Sequence, residues 1–339
     1  MPLRQPALPA HDAGTQALSG AVADAPDAAG VDSPTLHPAT RPLHWGAEAL
    51  WEQLQPVLPG ISVEVVARLD STNTRLLERA RHVGGDRDAL VTRPGALDDD
   101  IASQAADLAP CLLVAEEQTA GRGRLGRGWV SAPGRSLTFS LALPMAPVQW
   151  GGLSLAVGVA LADALDPLAA SPAATRLALK WPNDLWLRDA ASPAGGRKLG
   201  GILIETVAVG TQRMVVVGVG LNVRPREAAA SGAATPLHHG YACLQELSPA
   251  ASAPAALAAV AVPLAQTLKR FEREGFAPFL DAFTRRDLLR GRGVSVSGGL
   301  ELQGTAEGVD AQGALLVRAG GACHRVVSGE ASVRLAAVP

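Results

Sequence analysis

The sequence predicts an α+β protein in which a mixed β-sheet is flanked by helices, followed by a small β-barrel. In residues 44–290, apolar strands alternate with helices and several strands form hairpins, which favours a mixed sheet over a strictly parallel array. Residues 291–339 contain short alternating strands separated by Gly-Gly and Asp-Ala-Gln-Gly turns, a pattern typical of a small barrel. Residues 1–43 are rich in Ala, Pro, Asp and Gly without periodicity, and are predicted to be a disordered tail.

The composition allows one large core and excludes some classes of partner. The chain has 339 residues, of which 47% are hydrophobic and 18% are charged, and its formal net charge is -2. This length is sufficient to bury one sizeable core and a second small one. Because the net charge is slightly negative, we expect no general attraction to nucleic acid or to an anionic membrane. Any anion site must therefore be local.

The cysteines predict a reduced, cytoplasmic protein. Cys111, Cys243 and Cys323 are widely spaced and form no pattern that would suit a zinc site. The N-terminus has no continuous apolar segment, and no later stretch reaches the roughly 18 apolar residues that span a bilayer. We therefore expect neither secretion nor membrane insertion.

The first elements of the sheet domain follow from local patterns. The stretch AEALWEQLQPVL places its apolar residues at helical spacing, and ISVEVVARLD alternates as a strand. The segment STNTRLLERARHV then predicts a helix whose N-cap is Ser71 or Asp70. A stretch rich in Asp, Gly and Ala at residues 84–109 predicts an inserted loop.

The later elements are predicted in the same way. An apolar helix is expected at 153–165, and the hairpin KLGGILIETVAV to RMVVVGVGLNV turns at Gly210-Thr211. The remaining predicted elements are strands at 111–117 and 136–143, two strands flanking Pro182-Asn183-Asp184, a loop at 224–250, and helices at 253–274 and 276–290.

The strongest local signal is the segment 121–128, which contains four glycines and three arginines. Glycines let the backbone approach a ligand, and arginines offer bidentate donors to phosphate or carboxylate. The segment also matches GxGxxG, but the residues behind it form a poor helix, which disfavours a dinucleotide site. A nucleic-acid-binding RGG segment and a plain solvated loop are the remaining alternatives.

Three further segments carry polar residues beside glycines or turns. KWPNDLW (180–186) places an amide and a carboxylate at a turn, KLGGILIE (198–205) opens an apolar strand with a lysine, and GVGLNV (218–223) ends in an amide. Each has an ordinary structural explanation, namely a hairpin turn, a solvated strand end, and close sheet packing. The residues alone do not decide between these explanations and a ligand site.

Read in order, these segments resemble the successive motifs of the biotin protein ligase family. The resemblance rests on LDSTN (69–73), EEQTAGRGRLGRGW (116–129), KWPNDLW, KLGGILIE and GVGLNV, and continues more weakly through TAEGVDAQGALLV and SGEASVR. It implies a catalytic domain similar to class II aminoacyl-tRNA synthetases and biotin ligases, with a C-terminal Src-homology-3-like barrel. It also implies ATP-dependent formation of biotinyl-5′-AMP and transfer of biotin to a lysine of the biotin carboxyl carrier protein of acetyl-CoA carboxylase.

The resemblance assigns roles to individual residues. Lys198, Arg124 and Asp184 are the implied catalytic residues, and Asp184 is the implied Mg²⁺ ligand. Residues matched to biotin are Ser71, Thr72, Asn73, Gln118, Gly121, Arg122, Gly123, Arg124, Lys198 and Gly200, and those matched to ATP are Arg124, Arg127, Trp129, Lys180, Asn183, Asp184 and Asn222. Elementary chemistry agrees, because a carboxylate already ionised at pH 7 requires cations and orientation rather than a base to attack phosphorus.

Other expectations concern partners and competing functions. Residues 1–43 have neither a recognition-helix pattern nor a basic patch, so we expect no DNA binding. The oligomeric state, monomer or homodimer, is left open. A lipoate or octanoate ligase of the same fold is the competing enzyme, and a biotin- or nucleotide-binding regulator without turnover is the competing non-enzyme. The presence of both Lys198 and Arg124 favours an enzyme.

Overall fold

The computed structural model describes residues 43–85, 108–167, 175–225, 240–298, 301–327 and 332–335. Most of the predicted tail, most of the predicted insert at 84–109 and part of the predicted loop at 224–250 lie outside these residues.

A mixed sheet forms the centre of the described chain. Its order is β1-β2-β5-β9-β8-β7-β6, and only the β1–β2 pair is parallel among these pairings. The mixed sheet predicted from the sequence is therefore confirmed. The strands up to β9 are β1 (Ser62–Leu69), β2 (Cys111–Gln118), β3 (Gly121–Arg122), β4 (Gly128–Trp129), β5 (Ser136–Pro144), β6 (Leu177–Lys180), β7 (Asp184–Arg188), β8 (Gly196–Val209) and β9 (Gln212–Asn222).

Helices cover both faces of this sheet. The helices are α1 (Ala47–Leu54), α2 (Thr72–Gly85), α3 (Leu153–Leu165), α4 (Ala253–Glu274) and α5 (Leu280–Arg286). Helix α2 packs on one face with a small apolar cluster, whereas α1, α3 and α4 pack on the other with the main core. Nine of the 13 residues of α3 are buried and the other four are partly buried, which explains why its sequence is apolar on almost every side.

The helix predicted at 276–290 is shorter in the structure. After a single turn at Ala277–Phe279, α5 ends at Arg286, and Asp287 then forms an isolated bridge with Leu179 of β6. The Leu288 amide donates to the Leu179 carbonyl at 2.9 Å. Pairing with the sheet edge has replaced the last helical turn, an outcome that local helix propensity cannot indicate.

Five C-terminal strands form a second sheet. They are β10 (Gly293–Ser297), β11 (Leu302–Val309), β12 (Leu315–Ala319), β13 (Ala322–Val326) and β14 (Ser332–Leu335), in the order β13-β12-β11-β10-β14. All four pairings are antiparallel, and the inward residues alternate along the strands. The short C-terminal strands predicted from the sequence are therefore present, and they form an antiparallel sheet.

Asp287 gives the fold a titratable group at the junction of α5 and β6. Its side chain is buried, its Oδ1 accepts from the Leu289 amide at 2.8 Å, and its Oδ2 has no hydrogen-bond partner among the described residues. Burial raises the pKa of Asp287 from 3.8 to about 6, although Arg290 and Arg188 lie near enough to oppose this. The folded state therefore binds a proton more readily than the unfolded state between these two values.

We expect Asp287→Asn to change how stability depends on pH. Because the folded pKa is raised, wild type loses stability as the pH rises from about 4 through 6, by about 2 to 3 kcal/mol. The variant, which cannot ionise, lacks this loss, and urea unfolding at pH 4.5 and 8 measures the difference. Asp281→Asn, an exposed site on α5, serves as the control. A wild-type minus variant difference that stays constant between the two pH values would contradict the expectation.

Candidate active site

The strand register brings the predicted site residues to one end of the sheet. The parallel strands β1 and β2 both end there, at Leu69 and Gln118. Ser136, at the start of β5, pairs with Asn222, at the end of β9. Gly200 pairs with Leu221, and Asp184 pairs with Gly201. The ends of these strands and the loops that join them therefore form one polar edge.

The LDSTN segment begins α2 at this edge. Ser71, Thr72 and Asn73 are each only 3% exposed. The Ser71 hydroxyl accepts from the Thr74 amide at 3.4 Å, as predicted for an N-cap. Gln118 Oε1 accepts from the amide and the hydroxyl of Thr72, at 2.7 and 3.1 Å. These short polar side chains are thus held in fixed orientations before any ligand arrives.

Two residues that the sequence analysis missed complete this network. The buried Ser140 hydroxyl lies 2.7 Å from Thr72 Oγ1 and 2.6 Å from Asn73 Oδ1, and its single proton can serve only one of them. Asn73 Nδ2 donates to Glu205 Oε2 at 2.9 Å. A signal for both existed, since Ser140 interrupts an apolar strand and Glu205 shares a strand face with Gly201.

The glycine- and arginine-rich segment forms a small hairpin over β8. Strands β3 and β4 pair, and the Gly123 amide donates to the Arg127 carbonyl at 2.7 Å. Arg122 forms an ion pair with Glu205. An open pocket of about 370 Å³ lies between residues 121–128 on one side and Leu203 with Glu205 on the other. The segment therefore faces a cavity rather than simply linking two strands.

The hairpin does not continue into a helix. Residues 130–135 lead through turns directly into β5. A dinucleotide site of the GxGxxG type requires a helix N-terminus at this point to hold the pyrophosphate. The structure therefore argues against the dinucleotide alternative. At the tip, Leu125 has φ 56° and a largely exposed side chain, a left-handed conformation that is costly for a residue other than glycine.

A cluster of charges lies beside this hairpin. Lys198 Nζ donates to Asp184 Oδ1 at 2.7 Å, and both side chains are mostly buried. Arg124 Nη1 donates to Asn183 Oδ1 at 3.3 Å. Burial lowers the pKa of Arg124, an effect that the negative charge of Asp184 opposes. The three residues implied to be catalytic by the sequence, Lys198, Arg124 and Asp184, are therefore brought together.

Comparison with known proteins identifies the family. A profile of the biotin/lipoate A/B protein ligase family matches residues 91–222, and a profile of the biotin protein ligase C-terminal domain matches residues 291–334. The chain is 34% identical over 290 residues to the bifunctional ligase/repressor BirA of Escherichia coli, covering 84% of this chain and 78% of that protein. It is also 34% identical over 300 residues to the biotin--[acetyl-CoA-carboxylase] ligase of Mycobacterium tuberculosis, covering 84% of this chain and 90% of that one. The chain belongs to the biotin protein ligase family.

A solved structure agrees with this assignment. The biotin protein ligase from Aquifex aeolicus, in complex with biotin and ATP, matches with a TM-score of 0.59 and 25% identity, over 81% of this chain and 99% of that one. The protein is therefore an enzyme of the biotin ligase class. Among the described residues, no helix combines the length and the apolar character needed to cross a bilayer.

Four residues matched to ATP by sequence have mixed positions in this biotin ligase. Arg127 is exposed on the hairpin, and Trp129 packs beneath it with its indole Nε1 buried. Asn222 donates its amide to the Ala242 carbonyl at 3.0 Å, so this group braces the edge of the sheet. Lys180 is only 7% exposed, and its ammonium bonds to the C-terminal sheet.

The space beside several strand glycines of this ligase is occupied by other atoms of the protein. A Cβ at Gly218 would lie 2.2 Å from Asn73 Oδ1, and one at Gly220 would lie 2.5 Å from Trp129 Cε2. At Gly200 a Cβ would lie 2.6 Å from the Gly220 carbonyl oxygen, across the sheet. Close packing is therefore sufficient to explain these glycines. At Gly218 and Gly220 the missing side chain leaves room for Asn73 and Trp129, two residues of the site.

The donor atoms suit a metal ion carried by a nucleotide rather than one held in a protein cage. In the part of the chain that the structure describes, no group of three or more His, Cys, Asp or Glu side chains could hold a metal ion. Next to Lys198 and Arg124, the edge offers the carboxylate of Asp184 and the amide oxygen of Asn183. Mg²⁺ in nucleotide sites commonly takes one or two carboxylates and completes its shell with phosphates and water.

A second pocket, of about 210 Å³, lies at the opposite end of β1 and β2. Its charged groups, Glu64 and Arg79, are paired with each other at 2.7 Å. Burial raises the pKa of the adjacent Cys111 thiol to about 11. Because its charges are satisfied internally and its thiol stays protonated at neutral pH, we assign this pocket no chemistry.

Proposed function

We propose that this ligase joins biotin to ATP as biotinyl-5′-AMP and then transfers biotin to a lysine of the biotin carboxyl carrier protein of acetyl-CoA carboxylase. The observation that carries the proposal is the position of a neutral hydrogen-bonding network beside a cationic cluster at one edge of the sheet. The names of the relatives and the ligands in the Aquifex structure support it.

The neutral network suits the ureido ring of biotin, which offers both donors and a carbonyl acceptor. Thr72, Asn73 and Gln118 supply hydroxyl and amide groups that are already fixed by one another and by Ser140. Holding such groups rigidly reduces the cost of ordering them when the ligand binds. A site built for hydrogen bonds also discriminates against a ligand that lacks them, because buried polar groups would be left unpaired.

The cationic cluster suits the first half-reaction. The biotin carboxylate is already ionised at neutral pH, and it must attack an anionic phosphorus. Lys198 and Arg124 provide the positive charges that bring the two anions together and stabilise the charge that develops as pyrophosphate leaves. The partly buried position of both side chains strengthens these interactions relative to water.

Asp184 and Asn183 would hold the Mg²⁺ that accompanies ATP. This ion supplies further charge neutralisation at the phosphates. Asp184 also pairs with Lys198 in the structure, so it orients that ammonium toward the site before ATP binds.

In the second half-reaction the carrier lysine must lose a proton before its amine attacks the mixed anhydride. Two carboxylates, Asp184 and Glu205, lie close enough to the site to be considered as the acceptor. Glu205 is already engaged by Arg122 and Asn73. Asp184 is also engaged, by Lys198, so orientation of the amine is the main proposed contribution, with Asp184 as the proposed acceptor.

The hairpin at 121–128 is proposed to close over the adenylate and keep water out. We expect Arg124→Gly to release biotinyl-5′-AMP about 10- to 100-fold faster, since a hydrogen bond to a charged group contributes about 1.5–3 kcal/mol. The freed intermediate then biotinylates unrelated lysines. Dissociation of radiolabelled intermediate and labelling of a bystander protein measure this effect, with Arg124→Lys as the matched charged control. If Arg124→Gly retains the intermediate as wild type does, this role is wrong.

Transfer of labelled biotin to a purified carrier domain tests the proposed function itself. Wild type is expected to label the carrier only when both ATP and biotin are present. Lipoate and octanoate, used in place of biotin, test the competing ligase activity. Transfer of lipoate or octanoate in preference to biotin indicates the competing ligase, and binding of biotin without any transfer indicates a regulator. Either outcome overturns the proposal.

The finer features of the fold belong to the same proposal. The all-antiparallel order of β10 to β14 supports a Src-homology-3-like barrel as the second domain, with boundaries at 44–290 and 291–339. The resemblance to class II aminoacyl-tRNA synthetases fits adenylate chemistry on a mixed sheet. A cytoplasmic location fits the need for ATP and a carrier protein, and it is consistent with the free thiols of Cys111 and Cys243.

A further inference from the structure

The KWPND segment contacts two different parts of the protein. Its last two residues, Asn183 and Asp184, lie at the polar edge and contact Arg124 and Lys198. Its first residue, Lys180, lies directly across the β6–β7 hairpin from Asp184. The side chain of Lys180 and that of the next residue contact the C-terminal sheet instead. The segment therefore joins the candidate active site to that sheet.

Lys180 makes an unusual contact for a lysine. Its Nζ donates to the Val333 carbonyl of β14 at 2.8 Å, and it lies 5.5 Å from the centre of the Trp186 ring. The charges that act on it are those of Asp184, Lys198, Arg127 and Arg334. An apolar side chain of similar length would fill this space without the cost of burying an ammonium group. The charge is therefore not required for packing.

Trp181 makes a second bond to the same sheet. Its side chain is fully buried, and its Nε1 donates to the Gly313 carbonyl at 3.1 Å. Gly313 precedes β12, whereas Val333 lies on β14, so the two bonds reach separate parts of the C-terminal sheet. Two bonds to separate points restrict rotation of the hairpin as well as its displacement, and orientation is what a nucleotidyl transfer requires.

We infer that Lys180 is a positioning residue that ties the Asn183-Asp184 turn to the C-terminal sheet through the Val333 carbonyl, and that it does not contact ATP. The sheet then contributes to adenylate formation through this bond, by fixing the carboxylate that orients Lys198. The inference rests on the proposed function, because its effect is read through adenylate formation.

The test is biotin-dependent ATP–pyrophosphate exchange by the full-length Lys180→Met protein. The substitution keeps the length of the side chain and removes the donor. We expect kcat to fall about 10- to 100-fold, as for a misplaced reacting group, while the Kd for biotin measured without ATP changes by less than about twofold. Lys180→Arg, which keeps a charged donor, is expected to recover most of the lost rate. Lys269→Met, at a surface lysine paired with Glu272, is the matched control.

The possible outcomes are distinct. A Lys180→Met kcat within about twofold of the Lys269→Met value overturns the inference, and so does a parallel loss of biotin binding and rate, which indicates general unfolding. If Lys180→Met does not fold, Trp181→Phe removes the second bond while keeping most of the ring, and it must lower kcat without weakening biotin binding. If wild type shows no biotin-dependent exchange, the proposed function itself fails, which is a separate result.

Discussion

Lys198→Ala is expected to abolish adenylate formation, with a loss of about 10²- to 10³-fold or more in biotin-dependent ATP–pyrophosphate exchange. Lys198 Nζ lies 2.7 Å from Asp184 Oδ1 and its side chain is partly buried, so its charge acts at short range and is only partly screened by water. Alanine removes this cation, and no neighbouring side chain places another cation at the same point. It also leaves Asp184 without its ion-pair partner, which places an extra negative charge where two anions must meet.

The control for this experiment is Lys269→Ala, which removes a surface lysine paired with Glu272. Exposed pairs of this kind contribute about 0–1 kcal/mol to stability, so near-normal exchange is expected. Circular dichroism establishes that both variants are folded. Near-normal exchange by Lys198→Ala would remove this residue from the proposed catalytic set and leave Arg124 as its main cation.

Arg286→Met is expected to produce the largest loss of stability, about 3–5 kcal/mol, because it removes several hydrogen bonds made by one buried, charged guanidinium. Arg286 is 0% exposed. Its guanidinium bonds to Asp163 Oδ1 at 2.9 Å and to the Leu177 carbonyl at 3.1 Å, and it also contacts Asp166. Methionine leaves the carbonyl of the fully buried Leu177 without this donor, whereas the Asp163 carboxylate, 41% exposed, can still bind water. Urea unfolding at neutral pH measures the change.

The matched control is Arg270→Met, on α4. Arg270 is half-exposed and pairs with Glu274 one turn away, so its removal is expected to cost less than about 1 kcal/mol. Both variants remove one positive charge, so a difference between their stability losses reflects the burial of Arg286 and its hydrogen bonds. Equal stability losses in both would mean that the Arg286 network is not what joins α5 to α3 and β6.

The fold was largely predictable where apolar periodicity is long and continuous. The helix at 153–165 has the predicted bounds, and the strand predicted at 136–143 is one residue longer, ending at Pro144. The helix predicted at 276–290 was wrong over its last four residues, because Asp287 and Leu288 pair with β6, far away in sequence. A contact across more than 100 residues leaves no trace in local propensity.

The candidate site was predictable in the residues of its motifs but not in every group that supports them. The resemblance to the family indicated Arg124, Asp184 and Lys198, and the structure brings them together. Ser140 and Glu205 were missed because a single polar residue in a strand is ambiguous until its neighbours across the sheet are known. The glycines at 218 and 220 stayed ambiguous for the same reason, since only the folded chain reveals which side chain lies against them.

The convergence of strand ends at the polar edge limits how the chain can tolerate changes in length. Side chains alternate between the two faces of a strand, so deleting one residue within β5 would turn Ser140 from α2 toward the main core and bring Phe139 or Leu141 to the ligand side. A substitution at a single position alters the contacts of one side chain, whereas a one-residue register shift within a strand changes every side chain that the strand contributes to the pocket. Insertions are therefore compatible with ligation only where no pairing is interrupted, as between α2 and β2.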